Sequence, residues 1–109
     1  MVYNCLEAAK ILEKENISAS VVNMHTIKPI DEDIILEKIK KNKIIFTAEE
    51  HNIIGGLGSA VAEVKSSIES KCKLIRLGIN DVYTKGGSQK YLQELNGLSI
   101  DKIVYTVKN

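Results

Sequence analysis

Apolar positions recur along this chain at helical spacing in some segments and as short continuous runs in others. Helical spacing first predicts a helix over about residues 3–15, with one face formed by Val2, Leu6, Ala9 and Leu12. It returns after Asp31, a suitable N-cap, and predicts a helix that continues to about residue 41. Between Leu57 and Ile68 it returns again and predicts a third helix.

Two shorter helices are predicted at the end of the chain. Ser88 is a suitable N-cap for a helix through Leu92 and Leu95, and Gly97 can close it. Ser99 can cap the last helix. The apolar face predicted for that helix consists of Ile100, Ile103, Val104 and Val107.

Three short β-branched or apolar runs predict strands at residues 18–24, 43–48 and 73–78. The run at 43–48 is continuously apolar, which is typical of a parallel strand that is buried on both faces. Strands that alternate with helices predict an α/β fold, a three-layer α/β/α arrangement with a mainly parallel sheet. The chain opens directly on a helix, so we expect that it is a fragment lacking at least one upstream strand.

Composition and charge exclude several classes of function. The 109 residues, 44% of them hydrophobic, suffice for one domain, and a net charge of +1 argues against broad binding to nucleic acid or to an anionic membrane. No apolar run is long enough to span a bilayer, and no signal peptide is visible. Cys5 and Cys72 are far apart, which predicts buried free thiols and a cytoplasmic location.

The segment 49–60 is the most distinctive stretch, because it follows a predicted buried strand and opens a helix. Gly55, Gly56 and Gly58, with Ser59, form a loop whose free N–H groups could hold a phosphate. The GGxG spacing matches no nucleotide-binding fingerprint, however, and a turn that packs the helix explains the same glycines.

Polar residues follow each predicted strand, at the edge where open α/β sheets bind ligands. They are His25, Glu49, Glu50, His51 and Asp81. Carboxylates beside an imidazole could perform acid–base work, but the favoured interpretation is that these residues end the strands or face an interface. The histidines lack metal-ligand spacing, and no nucleophile motif is present, so the residues alone predict no catalytic set and no metal site.

Three segments together resemble a known family, the C-terminal domain of the transketolases. They read VVNMHTIKPIDEDII (21–35), IIFTAEEHNIIGGLGSAVAEV (44–64) and LGINDVYTKGGSQKYLQELNGLS (77–99). The resemblance covers nearly the whole chain and is strongest to the C-terminal section of short or split transketolases. The 1-deoxyxylulose-5-phosphate synthases and the beta subunits of 2-oxo acid dehydrogenases share this domain and are the alternatives.

The resemblance implies an enzyme that moves a two-carbon ketol unit between sugar phosphates with thiamine diphosphate and magnesium. It also implies that the pyrimidine- and diphosphate-binding domains hold the cofactor, and that this domain, residues 1–109, binds none and serves assembly in a homo-oligomer. The loops around Glu49–His51, Gly55–Ser59 and Asp81–Ser88 would then face other domains. Lys85 stands where relatives tend to carry an acid, which reverses a charge at that contact.

Overall fold

The computed structural model describes residues 1–80 and 86–109. They form five helices and two strands, and the chain divides into two compact units. The sheet unit is Met24–Asp81, and the helical unit combines Met1–Asn23 with the described part of Val82–Asn109. In chain order the elements are α1 (Val2–Lys14), α2 (Glu32–Lys41), β1 (Ile44–Asn52), α3 (Leu57–Ser66), β2 (Lys73–Ile79), α4 (Gln89–Leu95) and α5 (Ile100–Lys108).

The sheet unit is a two-stranded parallel sheet with two helices beside it. β1 and β2 pair in parallel from Ile44 opposite Lys73 onward, as the alternating pattern predicts. α2 and α3 pack against each other and against β1, so they form one helical layer. The core between them is made of Ile35, Ile39, Val61, Val64 and Cys72. A mixed helix–strand fold with a parallel sheet is confirmed, whereas the second helical layer stays a prediction.

Side-chain caps begin the helices where the sequence predicts them. The Asp31 carboxylate accepts the Ile34 N–H at 3.2 Å. The Ser88 hydroxyl accepts the Tyr91 N–H, also at 3.2 Å. Ser99 accepts the Lys102 N–H at the start of α5. Each bond satisfies one of the N–H groups that a helix leaves without an internal partner, which is why these helices begin at these residues.

Two helices end on a residue with positive φ. Gly97 follows α4 with a φ of +75°, and its N–H and that of Leu98 donate to the carbonyls of Glu94 and Gln93. Asn16 follows α1 with a φ of +62°, and the N–H groups of Asn16 and Ile17 donate to the carbonyls of Glu13 and Leu12 in the same way. This Schellman arrangement satisfies the last helical carbonyls. The ending at Gly97 was predicted. The end of α1 was predicted near residue 15, but the positive φ of Asn16 was not.

In the helical unit, α1 packs against α5. The residues of the unit that are most buried are Ala8, Leu12, Leu98 and Ile103. Asn4 donates to the Leu98 carbonyl at 2.9 Å, which ties α1 to the loop before α5. The predicted face of α1 is therefore wrong at Val2 and Leu6, which are exposed. Leu12 is buried and Ala9 half-buried, as predicted, and Ala8 also faces the core.

The strand predicted at residues 18–24 is also wrong. The segment forms no ladder with any described residue, and Val22 and Asn23 are exposed. Its β-branched residues favour extended backbone, but a strand exists only when a neighbour accepts and donates its backbone hydrogen bonds. No such neighbour lies among residues 1–80 and 86–109.

Burial of β1 is weaker than its apolar run predicts. Only Thr47 is fully buried in this strand, and Ile44 at its start is exposed. The predicted burial on both faces is therefore wrong for β1 in this structure.

Both cysteines are free, and burial differs between them. Cys72 is buried in the core of the sheet unit, whereas Cys5 on α1 is half-buried. Burial raises the pKa of the Cys5 thiol, and the nearby N-terminal ammonium group opposes this shift. Within the described part of the chain, no helix is long and apolar enough to cross a membrane.

Candidate functional site at the carboxyl edge of the sheet

The end of β1 carries two residues more than the matching stretch of β2. Ala48 lies opposite Leu77, and the next paired position joins Asn52 to Ile79, so Glu49, Glu50 and His51 bow out of a regular ladder. The bulge brings its backbone close to Gly78 of β2. A Cβ atom at that position would stand 2.7 Å from Ile53 Cγ2 and 2.9 Å from the His51 carbonyl oxygen. Glycine at position 78 is therefore what this approach requires.

The Glu49 side chain reaches from the bulge to the start of α3. Its two carboxylate oxygens accept the N–H groups of Leu57 at 2.7 Å and Gly58 at 3.1 Å. These are the first two residues of α3, so a side chain eight residues upstream caps the helix in place of its own N-cap residue, Gly56. A carboxylate at this end also complements the positive end of the helix dipole.

Gly56 and Gly58 are each required by a close contact in this cluster. A Cβ atom on Gly56 would collide with Glu49 Oε2, and one on Gly58 would stand 2.7 Å from Arg76 Cδ and 3.0 Å from Thr47 Oγ1. Both glycines are buried. The predicted turn that packs the helix is thus the arrangement this structure contains.

The loop between the bulge and α3 is closed by hydrogen bonds of its own. The Ser59 hydroxyl donates to the Ile53 carbonyl at 3.2 Å and accepts the Gly55 N–H at 2.9 Å. Arg76 on β2 donates to the same Ile53 carbonyl at 3.3 Å. Gly55 adopts a φ of +80°, which a residue with a side chain rarely reaches.

The remaining predicted residues do not join this cluster. The side chain of His51 is exposed, and its Nδ1 lies 2.9 Å from the Asn52 carbonyl oxygen. Glu50 is exposed. His25 is exposed and forms no hydrogen bond or ion pair with any described residue. Asp81 and Lys85 lie outside the described residues.

The cluster is poorly suited to bind a phosphate. The two N–H groups that such a loop would offer first are already donated to Glu49, and a second anion there would meet the negative charge of that carboxylate. What the arrangement does is fix the geometry of the strand end, the loop and the helix start. Among residues 1–80 and 86–109, no three His, Cys, Asp or Glu side chains are grouped closely enough to hold a metal ion.

Sequence reasoning missed two residues of the cluster, Thr47 and Arg76. They are paired across β1 and β2, and both line the space beside Gly58. Thr47 is 6% exposed, and its hydroxyl has no hydrogen-bond partner among the described residues. Each is the one polar residue within an apolar strand run, and that interruption is the signal that could have identified them.

The comparisons with known proteins agree on one family. Residues 1–103 match the family described as transketolase, C-terminal domain. A protein of Methanocaldococcus jannaschii described as a transketolase C-terminal section is 50% identical over 99 residues, covering 90% of this chain and 30% of the relative. A 6-deoxy-6-sulfo-D-fructose transketolase subunit of a Clostridium species is 40% identical, covering 95% of this chain and 32% of that subunit.

A second branch and a solved structure match as well. The 1-deoxy-D-xylulose-5-phosphate synthase of Heliobacterium modesticaldum is 39% identical over 89% of this chain and 15% of its own length. A structure described as a split gene transketolase, inactive beta4 tetramer, superposes with a TM-score of 0.85 at 42% identity, covering 98% of this chain and 34% of that one. The chain therefore spans a third or less of the curated relatives named here.

Proposed function

This chain belongs to the transketolase C-terminal domain family, and we propose that it is the assembly domain of an enzyme that transfers a two-carbon ketol unit between sugar phosphates. The observation that carries the proposal is the match over residues 1–103, which accounts for a third or less of the relatives' length. The chemistry then depends on polypeptide beyond the matched part. The domain contributes surfaces that hold the other parts together.

The geometry of the carboxyl edge supports a structural role for this domain. Glu49, Gly56 and Gly58 make their hydrogen bonds and close contacts within the chain itself, and Gly55 donates its N–H to Ser59. Such a loop presents a fixed backbone surface, with the exposed Glu50, His51 and Ile54 at its rim. A rigid rim is what a contact with a neighbouring domain needs, because little conformational entropy is lost on docking.

The donor set at this edge does not fit thiamine diphosphate with magnesium. A diphosphate needs free N–H or cationic donors, and the N–H groups at the start of α3 are taken by a carboxylate. We therefore assign the cofactor of the complete enzyme to its pyrimidine- and diphosphate-binding domains. These domains, together with further copies of this chain in a homo-oligomer, are the proposed partners.

In this proposal the pyrimidine- and diphosphate-binding domains also determine which acceptor sugar is used. The matches to a 1-deoxy-D-xylulose-5-phosphate synthase and to a sulfofructose transketolase subunit favour two neighbouring activities as alternatives. All three activities require the same division of labour, so the assembly role of this chain does not depend on the choice among them.

A domain exchange with the Methanocaldococcus jannaschii relative tests the proposal. The matched 99 residues of that protein would be replaced by those of this chain, and the hybrid would be combined with the complementary transketolase subunit. We expect the hybrid to retain ketol transfer, measured with thiamine diphosphate, magnesium and a pair of sugar phosphates. The 109-residue chain alone should show no transfer and no heat of binding when titrated with the cofactor.

The hybrid with His25→Ala is the matched control for an active-site role, because His25 is exposed and forms no bond with the described residues. It should keep kcat within about twofold. Turnover by the isolated chain would contradict the proposal, and so would loss of activity in a hybrid that still folds and associates.

A further inference from the structure

A pocket of about 400 Å³ opens at the amino-terminal edge of the sheet, opposite the glycine loop. Its walls are the end of α2 with the connection to β1 on one side, and residues 68–72, which lead into β2, on the other. All lining residues belong to the sheet unit. The volume lies within the range of pockets that bind small molecules.

Three lysines surround this pocket: Lys40, Lys43 and Lys71. All three are exposed, and none of their side-chain ammonium groups forms an ion pair or hydrogen bond with a described residue. The neighbouring Lys41 differs, because it bonds to Glu37 at 3.1 Å and lowers the pKa of that carboxyl. The pocket therefore concentrates ammonium groups whose charge no carboxylate neutralises directly.

The other lining groups add a hydroxyl donor and an apolar floor. Ser70 Oγ accepts the Cys72 N–H at 3.0 Å, which leaves its O–H free to donate into the pocket. Ile39, Ile68 and Cys72 supply apolar surface below it. A ligand with an anionic head and a short carbon skeleton fits this lining, because the head can meet the lysines and Ser70 while the skeleton meets the apolar floor.

The net charge at the pocket is positive after the opposing terms are counted. Glu69 is the one acidic residue of the lining, so three lysines leave an excess of two positive charges. α2 and α3 both end at this edge, and each carbonyl end carries roughly half a negative charge. About one positive charge remains, enough to favour a doubly charged anion and small enough that the affinity is modest.

We propose that this pocket binds a small phosphorylated metabolite. The phosphoryl group lies among Lys40, Lys43 and Lys71 and accepts the Ser70 O–H, and the carbon skeleton rests on Ile39 and Ile68. The site is separate from the carboxyl edge and from the ketol-transfer chemistry proposed above. A ligand bound there would join the end of α2 to the segment before β2 and stabilise the sheet unit by its binding energy.

Titration of the ¹⁵N-labelled chain with glycerol 3-phosphate at constant ionic strength tests this site. We expect saturable amide shifts confined to residues 39–43 and 68–72, with a dissociation constant of about 1 mM. Glycerol at the same concentrations should produce none, because it lacks the charged head. Raising the sodium chloride concentration tenfold should weaken binding several-fold, since the lysines are exposed.

The double variant Lys43→Gln, Lys71→Gln should bind glycerol 3-phosphate at least about fivefold more weakly, because two of the three lysine charges around the pocket are lost. The matched control is Lys90→Gln, an exposed lysine on α4 that should leave binding unchanged. The free spectra of the variants report whether each one folds. No shifts up to about 20 mM, shifts spread evenly over the surface, or equal weakening by Lys90→Gln would each overturn the proposal.

Discussion

At the scale of single residues, Glu49 replaces what a local N-cap provides in the other helices. Asp31, Ser88 and Ser99 each cap a helix from the adjacent position, whereas Glu49 does so from eight residues upstream of Leu57. Two helix N–H groups depend on its carboxylate. A half-buried pair of charge-assisted bonds is worth more than an exposed cap bond.

We expect Glu49→Ala to lower the free energy of unfolding by about 2–3 kcal/mol, because both N–H groups of α3 lose their acceptor. Glu49→Gln should cost about half as much, since one amide oxygen can keep one bond. Urea denaturation of the chain measures both. Glu63→Ala, an exposed position on α3, is the control and should stay within about 0.5 kcal/mol of the parent. Equal effects of the alanine variants would show that Glu49 caps nothing in solution.

Gly78 is the second residue on which the bulge depends. We expect Gly78→Ala to destabilise the chain by about 1–3 kcal/mol, because the new methyl group meets Ile53 and the His51 carbonyl. Gly86→Ala is matched in chemistry and has open space around its Cβ position, so it should be nearly neutral. Thermal unfolding compares the two. A neutral Gly78→Ala would mean that the bulge is not held this close to β2.

At the scale of elements, the ends of α1 and α4 each contain a residue with positive φ, so substitutions there measure the free-energy cost of that backbone conformation. Gly97→Ala should destabilise the chain by about 1 kcal/mol, because φ is +75° and no clash adds to the backbone term. Asn16→Gly places glycine at the equivalent position after α1 and should be stabilising by up to about 0.5 kcal/mol. Chemical denaturation should therefore give opposite signs. Two changes of the same sign would argue that these ends are not equivalent.

The accuracy of the sequence-based predictions differs between elements for physical reasons. Caps such as Asp31, Ser88 and Ser99 act within three residues, so the sequence next to the helix contains the whole signal. The segment 18–24 has strand composition, but pairing depends on a neighbour that composition cannot reveal. The predicted face of α1 is wrong at Val2 and Leu6, because exposed apolar residues such as Tyr3 and Ile11 make the two sides of this helix similar in composition.

The sequence predicts where the candidate site lies along the chain, but not what its residues do. Position 49 at the end of β1 and the glycines after it were identified from their order along the chain. The bond from Glu49 to Leu57 was not, because it depends on how far the bulge carries the strand back toward the helix. The sequence could not exclude a phosphate loop, because it does not show that Glu49 accepts the N–H groups of Leu57 and Gly58.

At the scale of the whole molecule, the helical unit exposes large apolar side chains. Tyr3 is 69% exposed and Tyr105 is 67% exposed, and Leu6 and Leu95 are exposed too. Surface of this kind is typical of proteins that associate. It supports the proposed homo-oligomer.

We expect light scattering of the isolated chain to show a mass that rises with concentration. The double variant Tyr3→Ser, Tyr105→Ser should shift the chain toward the monomer, because two exposed aromatic anchors are removed. Lys14→Ser changes an exposed polar residue of α1 and should leave the mass unchanged. A monomer at every concentration, before any substitution, would contradict self-association.

The carbonyl of Ile53, which both Ser59 and Arg76 approach, makes the loop tolerant of one loss and intolerant of two. Either donor alone still satisfies the oxygen, so Ser59→Ala and Arg76→Met should each cost little through this acceptor. Both together leave it without a partner from a side chain, and the double variant should lose about 1 kcal/mol more than the sum of the singles. Variation at one of these positions would thus be harmless only while the other is kept.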